Sequence, residues 1–144
     1  MVLDIICTCG RKNLRIGYNG YFQLRCALAR LYGFDFEAMT KGDPALELRC
    51  YEQQPLLHQF ICHPDHTGTW TAEECAEMLP FLRAVVAQPA LATHGPQSMM
   101  IKKHADGTME ASLLPPTRTF KSIIEELIKG FEHCMAEGHV LQYS

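Results

Sequence analysis

The sequence is short of the features that most often announce a function. It has no excess of basic side chains: 13 Lys and Arg stand against 16 Asp and Glu, for a formal net charge of −3. That balance argues against the broad cationic surface that binding to nucleic acid requires. No apolar run approaches the ~20 residues of a membrane span. The stretch Met1-Val2-Leu3-Asp4-Ile5-Ile6-Cys7 carries Asp4 where a signal peptide is basic, and its apolar part is too short. The seven cysteines, Cys7, Cys9, Cys26, Cys50, Cys62, Cys75 and Cys134, are odd in number and scattered, unlike the even framework of a secreted disulfide scaffold. These readings together predict a soluble protein in a reducing, cytoplasmic setting. Serine-hydrolase elbows, phosphate-binding Gly-rich loops and His-Glu-x-x-His are all missing. Gly17-Tyr18-Asn19-Gly20 is too common a pattern to mark an anion cradle and is read as a turn with a helix cap. Seven His beside seven Cys make a chance pairing easy, and no nucleophile signature surrounds any of them. No catalytic residue and no cofactor are therefore expected.

What is present describes one packed domain. The 144 residues are 47% hydrophobic and 20% charged, which suits a single globular unit over residues 1–144. Val2–Cys7 and Lys12–Ile16 read as a β-hairpin turning at Thr8-Cys9-Gly10-Arg11. Asn19 is the expected cap of a helix whose apolar side is Tyr21, Leu24, Leu28, Leu31 and Tyr32, stopped by Gly33. Phe34, Phe36 and Met39 read as loop residues folding back on the core, before a turn at Lys41-Gly42-Asp43-Pro44. A short helix starts at Pro55 and ends near His63, ahead of Pro64. Thr71 and Glu74 form a capping box, with Trp70 stapled onto Cys75, for a helix that runs toward Pro89 and that Pro80 is expected to interrupt and kink. Residues 89–116 read as an insertion, a loop followed by a hairpin of Met99–His104 and Thr108–Leu113. The last helix carries Phe120, Ile123, Ile124, Leu127, Ile128, Phe131 and Met135 at a 3.6-residue period and ends at Gly138, before a terminal strand near Val140–Tyr143. The sum is an α+β fold with about four helices and small antiparallel hairpins.

One connection stands out. Laid on the twelve-residue calcium loop of an EF-hand, residues 63–74 put His63 at position 1, Asp65 at 3, Thr67 at 5, Gly68 at the sharp turn and Glu74 at 12. The register is good and the ligand chemistry poor, because only Asp65 and Glu74 supply carboxylates where calcium wants six to eight oxygens. A metal-free loop held by its own hydrogen bonds is the expectation. Calcium on His63, Asp65, Thr67 and Glu74 is one alternative. Zinc is another, since Cys62, His63, His66 and Cys75, with His133, Cys134 and His139, are all zinc ligand types in no familiar spacing. Cys62 and Cys75 fall on apolar helix sides and read as core thiols.

His63-Pro64-Asp65-His66-Thr67-Gly68, followed by Ala72-Glu73-Glu74-Cys75, resembles the hallmark of a family of small, functionally uncharacterised bacterial and phage-associated proteins. That hallmark is a His-Ser-Asp-Cys-Asp-Gly loop leading to a Pro-Glu-Asp-Cys-like helix start. Gly17-Tyr18-Asn19-Gly20-Tyr21 with Arg25 is similar to that family's Gly-Ser-Tyr-Ser-Gly segment. Pro64 and Thr67 depart from the pattern, Thr67 standing where the family has an acidic residue. The resemblance implies a fold and carries no activity.

With no reaction motif, weight falls on binding. Residues 51–100 carry five acidic side chains against one basic, enough to cover a basic site on a partner. The expectation is a protein-interaction domain with a protein partner, in the form of an immunity protein or toxin inhibitor, contacting through Asp65, His66, Thr69, Glu73, Glu74 and Glu77. A metal-binding module on the 63–74 loop is the alternative.

Overall fold

The computed structural model describes residues 2–65 and 67–144. The chain runs β1 (Val2–Cys7), β2 (Lys12–Gly17), α1 (Tyr18–Leu31), α2 (Phe36–Thr40), α3 (Pro44–Gln53), α4 (Pro55–Ile61), β3 (Thr69–Trp70), α5 (Ala72–Val86), α6 (Pro89–Thr93), β4 (Ser98–Lys103), β5 (Met109–Leu114), α7 (Phe120–Glu137) and β6 (Leu141–Tyr143). This is an α+β fold, with seven helices among the described residues instead of about four. The additions are short. Phe36 and Met39 do reach the core, but from a helical turn that Asp35 caps by accepting from the Ala38 amide. Asp43 caps α3 in the same way, with Pro44 at its first position. α6 is five residues starting at Pro89, inside the stretch expected to be loop, and buries Leu91.

The main sheet has the order β2-β1-β6-β3, antiparallel throughout. Alternation points Leu3, Ile5 and Cys7 of β1, Leu14 and Ile16 of β2, and Leu141 and Tyr143 of β6 into the core. Gly17 still pairs with Val2 when α1 begins, so the strand leads into the helix without a separate capping residue. Asn19, the expected cap, therefore lies within the first turn, two residues beyond the observed N-cap Gly17, where no side-chain cap bond is made. α7 packs against β1, β2, β6 and α5. It comes so close to β2 that a Cβ at Gly130 would lie 2.9 Å from Asn13 Cβ, which accounts for a glycine in mid-helix.

α5 runs through Pro80 to Val86, and both halves of the expected capping box are formed at Thr71. β4 and β5 form a separate two-stranded sheet, in register Met99↔Leu113 and Ile101↔Ala111. Among the described residues no helix is long and apolar enough to cross a membrane.

Candidate functional site

The 62–71 connection closes over the aromatic centre of the core. Trp70 is fully buried between Phe60, with ring centroids 6.3 Å apart, and Phe131, at 5.4 Å. His63 turns inward and lies flat on Trp70, at 4.0 Å and 11° between planes, with Tyr143 at 4.9 Å on another side. Its Nε2 donates to the Thr69 carbonyl at 2.8 Å, which fixes that tautomer in the neutral ring. Nδ1 is buried with no hydrogen-bond partner among the described residues. Burial holds the His63 pKa below the ordinary histidine value.

The ring also explains Gly68: a Cβ there would collide with the Pro64 carbonyl and with the imidazole. Beneath it, the Trp70 indole donates to the Tyr143 hydroxyl at 3.1 Å, and that hydroxyl shares a 2.8 Å bond with Tyr21. Burial pushes Tyr143 up to about 12 and Tyr21 well above its usual value, so both phenols stay protonated and the network is neutral.

Arg25 of α1 fastens this connection from outside. Its guanidinium donates to Asp65 Oδ2 at 3.0 Å and to the Ile61 carbonyl at 3.4 Å, while lying over the rings of Tyr21 and Phe36 at 5.0 and 5.3 Å. The Gly17–Arg25 segment and the 63–68 segment, forty residues apart at the bonded pair, thus meet in space.

The residues singled out from the sequence are distributed as follows. Asp65 is bonded to Arg25, and Glu74 accepts from the Thr71 amide at 3.0 Å. Thr69 is exposed in β3, Thr67 is exposed in the loop, and Glu73 and Glu77 are exposed on α5. His66 lies outside the described residues. Among the described residues, the groups of three or more metal-ligating side chains are Cys7, Cys9 and His133, and Glu47, His58 and Cys62. His63, Asp65 and Glu74 do not form such a group. Cys75 is buried as expected. Cys62 is exposed, because α4 ends at Ile61 and Cys62 is its C-cap, outside the apolar stripe.

Sequence reasoning took Thr8-Cys9-Gly10-Arg11 only as a turn. The structure sets it against the C-terminal end of α7, with Cys9 Sγ 3.2 Å from His133 Nε2. Burial opposes ionisation of Cys7, yet the Cys9 amide and thiol, with Cys134 and Thr8, hold its thiol below the ordinary value. The available signal was the Cys-x-Cys spacing at a turn.

The second surface feature is the 98–114 hairpin. One face carries Met99, Ile101, Met109 and Leu113, exposed to 63%, 64%, 70% and 63%. A monomer rarely leaves so many large apolar side chains together in water. Gln23 of α1 holds the hairpin base with two bonds to the Gln97 backbone, at 2.8 and 2.9 Å. Between α1, α6 and that base lies an open cleft of about 790 Å³, whose lining includes Phe22, Ala27, Leu31, Leu91, Met99 and Leu113. Met99 and Leu113 belong to both the cleft lining and the hairpin face, which joins the two. No family model, curated protein or solved structure matches the chain.

Proposed function

We propose that this chain is a protein-interaction domain, and that a partner polypeptide lays its own apolar side chains on the β4–β5 hairpin and into the cleft at its base. The observation that carries this reading is the row Met99, Ile101, Met109 and Leu113, held out on a fixed base and left largely exposed by the described residues. Methionine suits such a face because its unbranched thioether adapts to a partner's shape. A toxin inhibitor is one form such a domain takes, with the acidic surface of residues 51–100 facing a basic site. Two of the carboxylates assigned to that contact, Asp65 and Glu74, are already bonded within the chain, which favours the hairpin over the loop.

The test is a photo-crosslinking amino acid at position 101 or at position 73, in the cells that make this protein. The expected result is one defined protein captured from position 101 and none from position 73, with capture from the hairpin lost when Met109 and Leu113 are both changed to Lys. Capture from position 73 alone would move the contact to the acidic loop and overturn the hairpin assignment. A covalent dimer of the chain itself would replace a foreign partner with a second copy.

A further inference from the structure

We propose that Cys7, Cys9 and His133 form a binding site for a thiophilic divalent metal, zinc in the first instance, at the end of the sheet remote from the hairpin. Their ligating atoms lie within 4.8 Å of one another, and the Cys9 Sγ to His133 Nε2 distance is 3.2 Å. Zinc bonds of about 2.3 Å to sulfur and about 2.0 Å to nitrogen in a tetrahedron place neighbouring ligand atoms roughly 3.5 to 3.8 Å apart. Small side-chain rotations bring the three groups to that spacing.

The backbone beneath them is already fixed. The Cys7 amide donates to the Arg11 carbonyl at 2.9 Å and the Gly10 amide to the Cys7 carbonyl at 2.8 Å, while the Thr8 amide donates to Val140 at 2.9 Å. Gly10, at φ +95°, lets the turn fold tightly enough to return Cys9 over Cys7. One supporting contact adjoins the ligands: the Cys9 amide approaches Cys7 Sγ at 3.5 Å. A donor of this kind orients a metal-bound sulfur.

Cys7 is buried, His133 half-buried and Cys9 exposed, so a metal there is reached from the Cys9 side, where a water completes the fourth position. Coordination through Nε2 requires the His133 proton on Nδ1. Arg11, whose guanidinium lies 3.4 Å from Nδ1, must then give up that contact. Both thiols lose their protons on binding, so affinity rises with pH. The rival group Glu47, His58 and Cys62 offers one thiol in place of two, and there His58 is already bonded to Glu47 at 3.2 Å.

The experiment uses the whole chain, reduced with a non-thiol reductant, titrated with zinc against a chromophoric chelator and separately with cobalt(II) as a coloured substitute. The expected result is one equivalent bound, with sulfur-to-cobalt charge-transfer absorption and the intense visible bands of a tetrahedral site. Cys9→Ser and His133→Gln, at positions outside the packed core, should keep the metal-free circular dichroism spectrum and weaken binding by at least about a hundredfold. Cys62→Ser should bind as wild type. Absence of a stoichiometric complex, wild-type affinity in Cys9→Ser, or loss of binding in Cys62→Ser would each overturn the assignment. None of these outcomes bears on the hairpin, which the crosslinking experiment tests alone.

Discussion

Two long connections between helices use their side chains in opposite ways. Between α4 and α5, several chemically capable groups are already bound within the chain: His63 stacks on Trp70, Asp65 binds Arg25, and Glu74 closes the capping box. Between α6 and α7, the side chains of β4 and β5 point into solvent, although their apolar content would suit a core. The segment with the more suggestive motif is thus committed to holding the fold, and the segment without one is left available. Motif richness and availability are separate properties, because a buried polar group must be satisfied within the chain and can then offer little to a ligand.

Stability measurements can break this contrast. The largest effect is expected from Trp70→Ala, which empties the centre of the aromatic cluster and strands the Tyr143 hydroxyl bond. It should cost about 3 to 5 kcal/mol by denaturant unfolding. A loss under about 1 kcal/mol would mean that the connection does not plug the core. Arg25→Met comes next, at about 2 to 3 kcal/mol. Removing one partner of a fully buried pair costs about 3 to 5 kcal/mol, and these side chains keep 12% and 21% exposure. Asp65→Asn should recover little of it if the bond to Arg25 sets the loop position.

A smaller and more diagnostic effect concerns His63. Its pKa is depressed in the fold, so the unfolded chain takes up that proton first as pH falls below about 6.5. The contribution is complete above that value and is lost as pH falls through the folded-state pKa. His63→Phe keeps the stack on Trp70 and removes the titration. The variant should show a shallower fall in stability between pH 7 and pH 5 than wild type, measured as unfolding midpoints, and parallel curves would refute the inward neutral ring. The smallest effect belongs to the hairpin: Ile101→Ala should leave stability within about 0.5 kcal/mol. A loss near 2 kcal/mol would show that the face is packed after all.

Much of this architecture is legible where the signal is local. The capping box at Thr71, the period of α7 with its Gly138 stop at φ +68°, and the two hairpins rest on spacings of a few residues, and they appear where those spacings predict them. α3 was not legible because Cys50 is its one fully buried residue, which leaves no apolar stripe to count. α6 escaped because five residues with one buried leucine carry no period. At the candidate sites the missing information was long-range. That His63 turns in depends on Tyr143, eighty residues later, and the company of Cys9 depends on His133. A glycine with a special role at position 68 could be read from the loop register, but the Pro64 carbonyl and His63 imidazole that leave no room for a side chain there could not.

The strand order has a consequence for how the molecule comes into being. β6 is inserted between β1 and β3, so β1 and the strand at 69–70 share a neighbour only once residues 141–143 have paired with both. Closing the sheet therefore joins segments far apart in sequence, which is slow relative to local structure. The indole of Trp70, bonded to Tyr143, should change its fluorescence when β6 docks, making the single tryptophan a built-in reporter of that step.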